Sequence, residues 1–298
     1  DEDDHGARWP VEFTEAAPVR PEASTARKER HLGCCTPRDA ADARSVAQHL
    51  GIPFYAVNFQ RAFEGLIDSF AEEYLRGRTP NPCILCNRDL KFGRLVAYAR
   101  AAGADFIATG HYARIERQDS FWRLRRGLDR AKDQSYVLFG IGQEILPRTV
   151  LPLGELTKGE VRDHARRLGL AVSEKSESQD ICFAPDGDYA RVVRQRRPEA
   201  FRPGPILDTA GRPVGRHEGI GYYTIGQRRG LGVAAAAPLY VVRIDAERNV
   251  VVAGSRDDLA RDGLTASDVR WLIEPPDRGF RAVVQIRYTH GGAPAVVE

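Results

Sequence analysis

With 298 residues, 42% of them apolar and 29% charged, the sequence has the composition of a globular chain and the length for about two domains. No apolar run reaches the roughly 18 residues of a membrane-spanning helix, so a membrane partner is not expected. Net charge is only +3, yet arginines cluster at 123–130, 191–197 and 228–229, which is compatible with phosphate recognition and equally with arginine-rich coding.

Residues 1–36 begin Asp1-Glu2-Asp3-Asp4 and continue rich in Pro and Ala without periodicity, predicting a loop. Ala40, Ala43, Val46, Ala47 and Leu50 then fall at helical spacing, and Gly51 stops them. The apolar stretch 53–59 predicts a short strand. A second helix is expected over 63–75, closed by Gly77, and a third over 90–102, closed by Gly103. Residues 105–109 read as a buried strand, and the helix–strand alternation predicts a parallel α/β sheet. A hairpin follows over 112–126, turning near Gln118, with helical stretches at 134–140, 157–168 and 188–196. Thr157 and Glu160 have the spacing of a capping box. Beyond Pro198, Pro and Gly rise and strands shorten, with a hairpin pairing 241–244 and 250–252 and a further strand at 282–288. The division read from this texture is 1–198, 199–265 and 266–298.

The five cysteines are Cys34, Cys35, Cys83, Cys86 and Cys182. An odd number, with no charged-then-apolar leader ahead of them, argues against a disulfide scaffold and for reactive thiols or metal ligands in a reducing, cytoplasmic setting. Cys34 and Cys35 carry no assigned role. The most informative segment is Gly77-Arg78-Thr79-Pro80-Asn81-Pro82-Cys83-Ile84-Leu85-Cys86-Asn87. Two prolines fix the backbone just ahead of a C-x-x-C pair. Cys86 is expected at the approach to a helix starting near Leu90, where a helix N-terminus, with Lys91 nearby, favours the thiolate.

That segment, followed by Lys91-Phe92, resembles the motif of bacterial tRNA 2-thiouridylases. Further segments match the family in the same order: Ala108-Thr109-Gly110-His111-Tyr112-Ala113, Lys132-Asp133-Gln134-Ser135-Tyr136, Ser178-Gln179-Asp180-Ile181-Cys182-Phe183, and Tyr223 through Gly232. The resemblance implies a Rossmann-like α/β adenine nucleotide alpha hydrolase (PP-loop) domain, then a small β-rich central domain and the start of a C-terminal β-barrel. It implies ATP-dependent adenylation of a wobble uridine, with Mg2+, and sulfur delivery from a cysteine persulfide. Cys86 corresponds to the nucleophile and Cys182 to the persulfide carrier. Asn81, Pro82 and Cys83 correspond to the neighbours of the target base, although many members carry Asp where this chain has Cys83. Gly110 corresponds to an ATP contact, and His111, Lys132, Asp133, Gln134, Arg287 and Tyr288 to tRNA contacts. The implied partners are tRNA and a sulfur-relay or cysteine desulfurase protein.

The family's Ser-Gly-Gly-x-Asp-Ser phosphate loop does not occur in the sequence, and no methionine does. Both read as a fragment, inactive in adenylation by itself, with the C-terminal barrel cut short. Two other readings stand beside the enzyme. Cys83, Cys86 and Cys182 could ligate an iron–sulfur cluster, or the chain could be a non-catalytic tRNA-binding remnant.

Overall fold

The computed structural model describes residues 37–175, 181–184 and 186–298. The loop expected over 1–36, Cys34, Cys35, and the Ser178-Gln179-Asp180 part of one motif lie outside the described residues. Helix α1 (Pro37–His49) ends at Gly51, whose φ of 66° is the left-handed turn that glycine adopts without strain. Helix α2 (Gln60–Leu75) follows and closes at Gly77, φ 72°. Its buried stripe, Leu66, Phe70, Ala71 and Tyr74, has the i, i+4 spacing that places residues on one face.

Residues 53–59, expected as a strand, form no ladder with any described segment, and Ile52 and Tyr55 are 55% and 73% exposed. A strand exists only through its neighbours, and apolar composition alone does not supply one. The third helix begins eight residues before the expected position. It is a continuous run made of α3 (Pro82–Leu85), a π-helical segment (Cys86–Arg94) and α4 (Leu95–Ala101). The strand expected over 105–109 shortens to β1 (Ile107–Ala108), paired in parallel with β4 (Thr149–Val150). Between them, β2 (Ala113–Gln118) and β3 (Phe121–Arg126) form the expected hairpin, with Asp119 at φ 53° in its turn. The stretch 134–140 contains one 3-10 turn, Ser135–Val137, rather than a helix.

Helix α5 (Lys158–Arg167) starts at the capping box: the Thr157 hydroxyl accepts from the Glu160 N–H at 3.3 Å, and Glu160 accepts from the Thr157 N–H at 2.7 Å. Asp188 caps α6 (Tyr189–Arg196), whose first residue stacks on Tyr74 of α2 at 4.9 Å. A four-stranded sheet follows, in the order β6 (Pro213–His217), β5 (Gly204–Leu207), β8 (Val250–Gly254), β7 (Tyr240–Asp245). It closes around Ile206, Ile220, Tyr223, Leu231, Val241 and Val251. The strand expected over 282–288 ends at residue 284. It is β9 (Phe280–Val284), paired antiparallel with β10 (Ala293–Val297), so Arg287 and Tyr288 lie in the connection and not on a strand.

Two cores carry the N-terminal half. One joins Phe92, Val96, Ile107, Ala113, Leu138, Ile141 and Leu146. The other joins Phe70, Ala71 and Tyr74 of α2 to Val193 and Ala200. Each such fully buried large side chain stabilises the fold by roughly 1.5–3 kcal/mol over exposure.

Candidate active site

The C-x-x-C segment is built by helix-start chemistry. Asn81 has extended backbone (φ −111°, ψ 97°), and its Oδ1 accepts from the Cys83 N–H at 3.1 Å. This is the N-cap interaction, and Pro82 at the first helical position has the φ that suits it. Pro82 is buried, Cys83 exposed and Cys86 half-buried. Cys86 therefore sits past the first turn of the helix and not ahead of it. The field of a helix N-terminus falls off within that turn, so it bears on Cys83 rather than Cys86. Cys86 instead opens the π-helical segment, a geometry that concentrates at functional sites.

The next residue, Asn87, is buried. Its Nδ2 donates to the Val137 carbonyl at 3.1 Å, which ties the thiol-bearing helix to the 3-10 turn, and its Oδ1 has no hydrogen-bond partner. A buried polar atom left so costs about 1–3 kcal/mol. Sequence reasoning quoted Asn87 only as part of a motif, and its position between Cys86 and a buried helix face was the available signal.

Cys182 is half-buried. The residues flanking it, Ile181 and Phe183, pack on the second core, and the Phe183 ring meets Phe63 and Phe70 of α2 edge-on, at 6.0 and 5.1 Å. Helix α2 also contacts α3 and the π-helical segment. The two segments holding Cys86 and Cys182 thus lean on one helix.

Gly110 and His111 follow β1. His111 is buried; its Nδ1 lies 2.7 Å from the Thr109 hydroxyl and its ring 5.9 Å from Phe92 in the π-helical segment. A Cβ placed on Gly110 would meet only Leu153 Cδ1, at 3.6 Å, an ordinary contact. The fold itself does not demand glycine there, so the missing side chain leaves room for something else at the carboxyl end of a parallel strand, the usual ligand position of such sheets.

Asp133 and Gln134 are spent largely on the fold. The Asp133 carboxylate accepts from the Gly127 N–H at 2.8 Å and from the Ser135 N–H and hydroxyl at 3.3 and 2.9 Å. Gln134 accepts from the Tyr112 N–H at 3.0 Å and donates its own N–H to the Tyr112 carbonyl at 2.9 Å. Lys132 is half-buried beside them. Arg287 and Tyr288 come to this same turn from the far end of the chain. The Tyr288 hydroxyl donates to the Asp133 carbonyl at 3.4 Å, and its ring is edge-on to Tyr136 at 6.1 Å. Burial pushes the Tyr136 hydroxyl above the ordinary tyrosine range, and the nearby Arg287 charge opposes that rise. Arg287 also lies over Gly226 (φ 88°) of the 223–232 segment, where a Cβ would stand 3.6 Å from its Nη1. Residues 132–136, Gly226 and Arg287–Tyr288 therefore form one face.

Among the described residues no group of three or more His, Cys, Asp or Glu side chains is arranged to hold a metal ion. Cys83, Cys86 and Cys182 are not gathered there as the ligands of an iron–sulfur cluster.

Thiols on a helical run beside a parallel strand pair, followed by a four-stranded sheet closed around a core of its own, make a two-part chain. Residues 16–186 match the family model described as the tRNA methyl transferase HUP domain, and residues 191–255 the one described as the tRNA methyl transferase PRC-barrel domain. The tRNA-specific 2-thiouridylase MnmA of Carboxydothermus hydrogenoformans is 51% identical over 275 residues, 91% of this chain and 75% of the relative. That of Geobacter metallireducens is 52% identical over 271 residues, covering 90% and 74%. That of Roseiflexus castenholzii is 47% identical over 282 residues, covering 89% and 76%. The chain belongs to this family of tRNA-specific 2-thiouridylases.

Proposed function

We propose that the chain is the body of a tRNA 2-thiolating sulfurtransferase that uses ATP. The observation that carries the reading is the convergence of the Cys86 and Cys182 segments on α2. The methyl-transfer description of the matched family models is the weaker guide, because the relatives about 50% identical to most of the chain are named tRNA-specific 2-thiouridylases.

In the proposed reaction the O2 of a wobble uridine attacks the α-phosphate of ATP and pyrophosphate leaves. Gly110, open on the strand-end side, admits the nucleotide; Mg2+ would accompany the ATP phosphates. Cys182 carries sulfur as a persulfide, loaded by a sulfur-relay or cysteine desulfurase protein. The Cys86 thiolate attacks the inner sulfur of Cys182, the outer sulfur is released to C2 of the base, and AMP leaves. The two cysteines end as a disulfide, which a dithiol must reduce before the next turn; forming and reducing that disulfide are both thiol–disulfide exchange. Asn81, Pro82 and Cys83 line the approach of the extruded base. His111, Lys132, Asp133, Gln134, Arg287 and Tyr288 belong to the tRNA-facing side, to which the 132–136 and 287–288 contacts give a common surface.

The test is nucleoside mass spectrometry of tRNA thiolated by the enzyme expressed from its complete reading frame. Cys86→Ser and Cys182→Ser should each abolish 2-thiouridine and leave adenylation, read as pyrophosphate release, in place. Persistent thiolation by both variants removes the assignment.

A further inference from the structure

The connection carrying Arg287 and Tyr288 is held by one side chain. The Nε2 of Gln285 donates to the carbonyls of Arg287 and Tyr288 at 3.0 and 2.9 Å, and its Oε1 accepts from Arg126 Nη2, at the end of β3, at 3.1 Å. Both ends of one carboxamide are in use: one end closes the turn, and the other fastens that turn to the hairpin of the N-terminal half. The His290 N–H adds a bond to the Arg287 carbonyl at 3.1 Å, so Arg287 accepts from two donors. Beyond the turn, Tyr288 reaches Asp133 and Tyr136, and Arg287 lies over Gly226. Residues distant in sequence thereby share a fixed relative position, and the two-point hold of Gln285 is a hydrogen-bonded tie between the C-terminal hairpin and β3 that sets it.

We propose that Gln285 is a positioning residue for tRNA binding: it fixes the Arg287–Tyr288 turn against β3 so that this turn and residues 132–136 meet the RNA as one rigid surface. Gln285 makes no RNA contact in this scheme; it acts through Arg287 and Tyr288. The proposal rests on the reading of those two residues as tRNA contacts. A surface already ordered loses less conformational freedom on binding than one assembled by the ligand. Without the tie, two long side chains and their turn must be ordered at the moment of binding.

The experiment measures the affinity of the full chain for an unmodified tRNA transcript with a wobble uridine, across a salt series, with thermal melting alongside. Gln285→Met keeps size and removes all three hydrogen bonds. It should weaken binding by roughly tenfold, as expected for ordering one to two side chains, and leave the slope of log affinity against log salt unchanged, because no phosphate contact is lost. Arg287→Ala should weaken binding and also reduce that slope by about one. Gln285→Glu keeps the bond to Arg126 but sets a carboxylate against two carbonyls, whereas Arg126→Met removes the tie to β3 and keeps the turn. Each should weaken binding, and Arg126→Met combined with Gln285→Met should be no worse than Gln285→Met alone. If Gln285→Met binds within twofold of wild type while Arg287→Ala is impaired, the positioning role is overturned. A Gln285→Met variant that loses salt slope overturns it as well, since Gln285 would then contact RNA itself. If Arg287→Ala also binds normally, the underlying tRNA-contact reading fails first, and the tie fails with it.

Discussion

Replacing Phe183 with alanine tests whether α2 sets the position of Cys182. The ring meets Phe63 and Phe70 at 6.0 and 5.1 Å and is only half-buried. Core Phe→Ala changes cost about 3–5 kcal/mol, so a partly exposed ring should cost roughly 2 kcal/mol, lowering Tm by roughly 4–8 °C. Stability is not the informative readout. With the anchor gone, the backbone at Cys182 must be ordered again each time it meets Cys86, at a cost of about 1–2 kcal/mol per residue. That is roughly a tenfold loss in the rate of forming the Cys86–Cys182 bond. The assay is diamide oxidation below the melting range of each variant, with the linked peptides quantified by mass spectrometry over time. Val193→Ala is the matched control: it opens the same core, but from α6 and without changing a residue that flanks either thiol in the chain. Phe183→Ala should be about tenfold slower than wild type and Val193→Ala within about twofold. Equal slowing in both variants, or none in Phe183→Ala, would refute the argument that α2 positions Cys182.

Asn81→Ala should lose about 1 kcal/mol of helix-head stability and speed hydrogen exchange at the Cys83 amide, while Asn81→Asp retains protection, since its carboxylate also caps. Gly110→Ala should leave Tm unchanged or slightly raised, because the new methyl finds only an ordinary contact with Leu153 and the unfolded chain loses entropy; pyrophosphate release by the complete enzyme should fall if ATP uses that space. His217 is buried, accepts the Gly219 N–H on Nδ1 at 3.1 Å and so carries its proton on Nε2, 3.1 Å from the Asn249 carbonyl. Burial pulls its pKa below the ordinary value of 6.5, so its contribution is complete above that value and drains away as pH falls through the lower folded-state pKa. Melting temperature should therefore drop as pH is lowered below about 6.5, and drop less in His217→Gln, which cannot take up the proton.

The elements legible in the sequence are those whose causes are local. Helices α1 and α2 with their glycine stops, the Thr157–Glu160 box and the turns at Asp119 and Asn249 each follow from side chains within a few positions of one another. The start of the thiol helix was also written locally, as an asparagine cap followed by proline at the first helical position. The two prolines around Asn81 read only as fixing the backbone ahead of the thiols, and a helix start expected near Leu90 falls eight residues late. Residues 53–59 failed for the opposite reason. Nothing near them decides whether a ladder forms, because that depends on a partner elsewhere in the chain.

The site was legible as a set of parts and not as an arrangement. The family resemblance singled out Lys132-Asp133-Gln134, but not that Asp133 and Gln134 serve chiefly to fold the segment. That service has a consequence for function. The turn at 133–137 receives Asn87 of the thiol helix at Val137, exchanges two bonds with Tyr112 beside His111, and receives Tyr288 at Asp133. Thiol helix, strand end and C-terminal turn are thus all referenced to one short segment, whose geometry is fixed by an internal carboxylate and not by packing alone. A shift of that segment moves the proposed base pocket and the proposed tRNA face together. On the proposal that this face meets tRNA, residues 133 and 134 act on it through the positions they impose on Tyr112 and Tyr288.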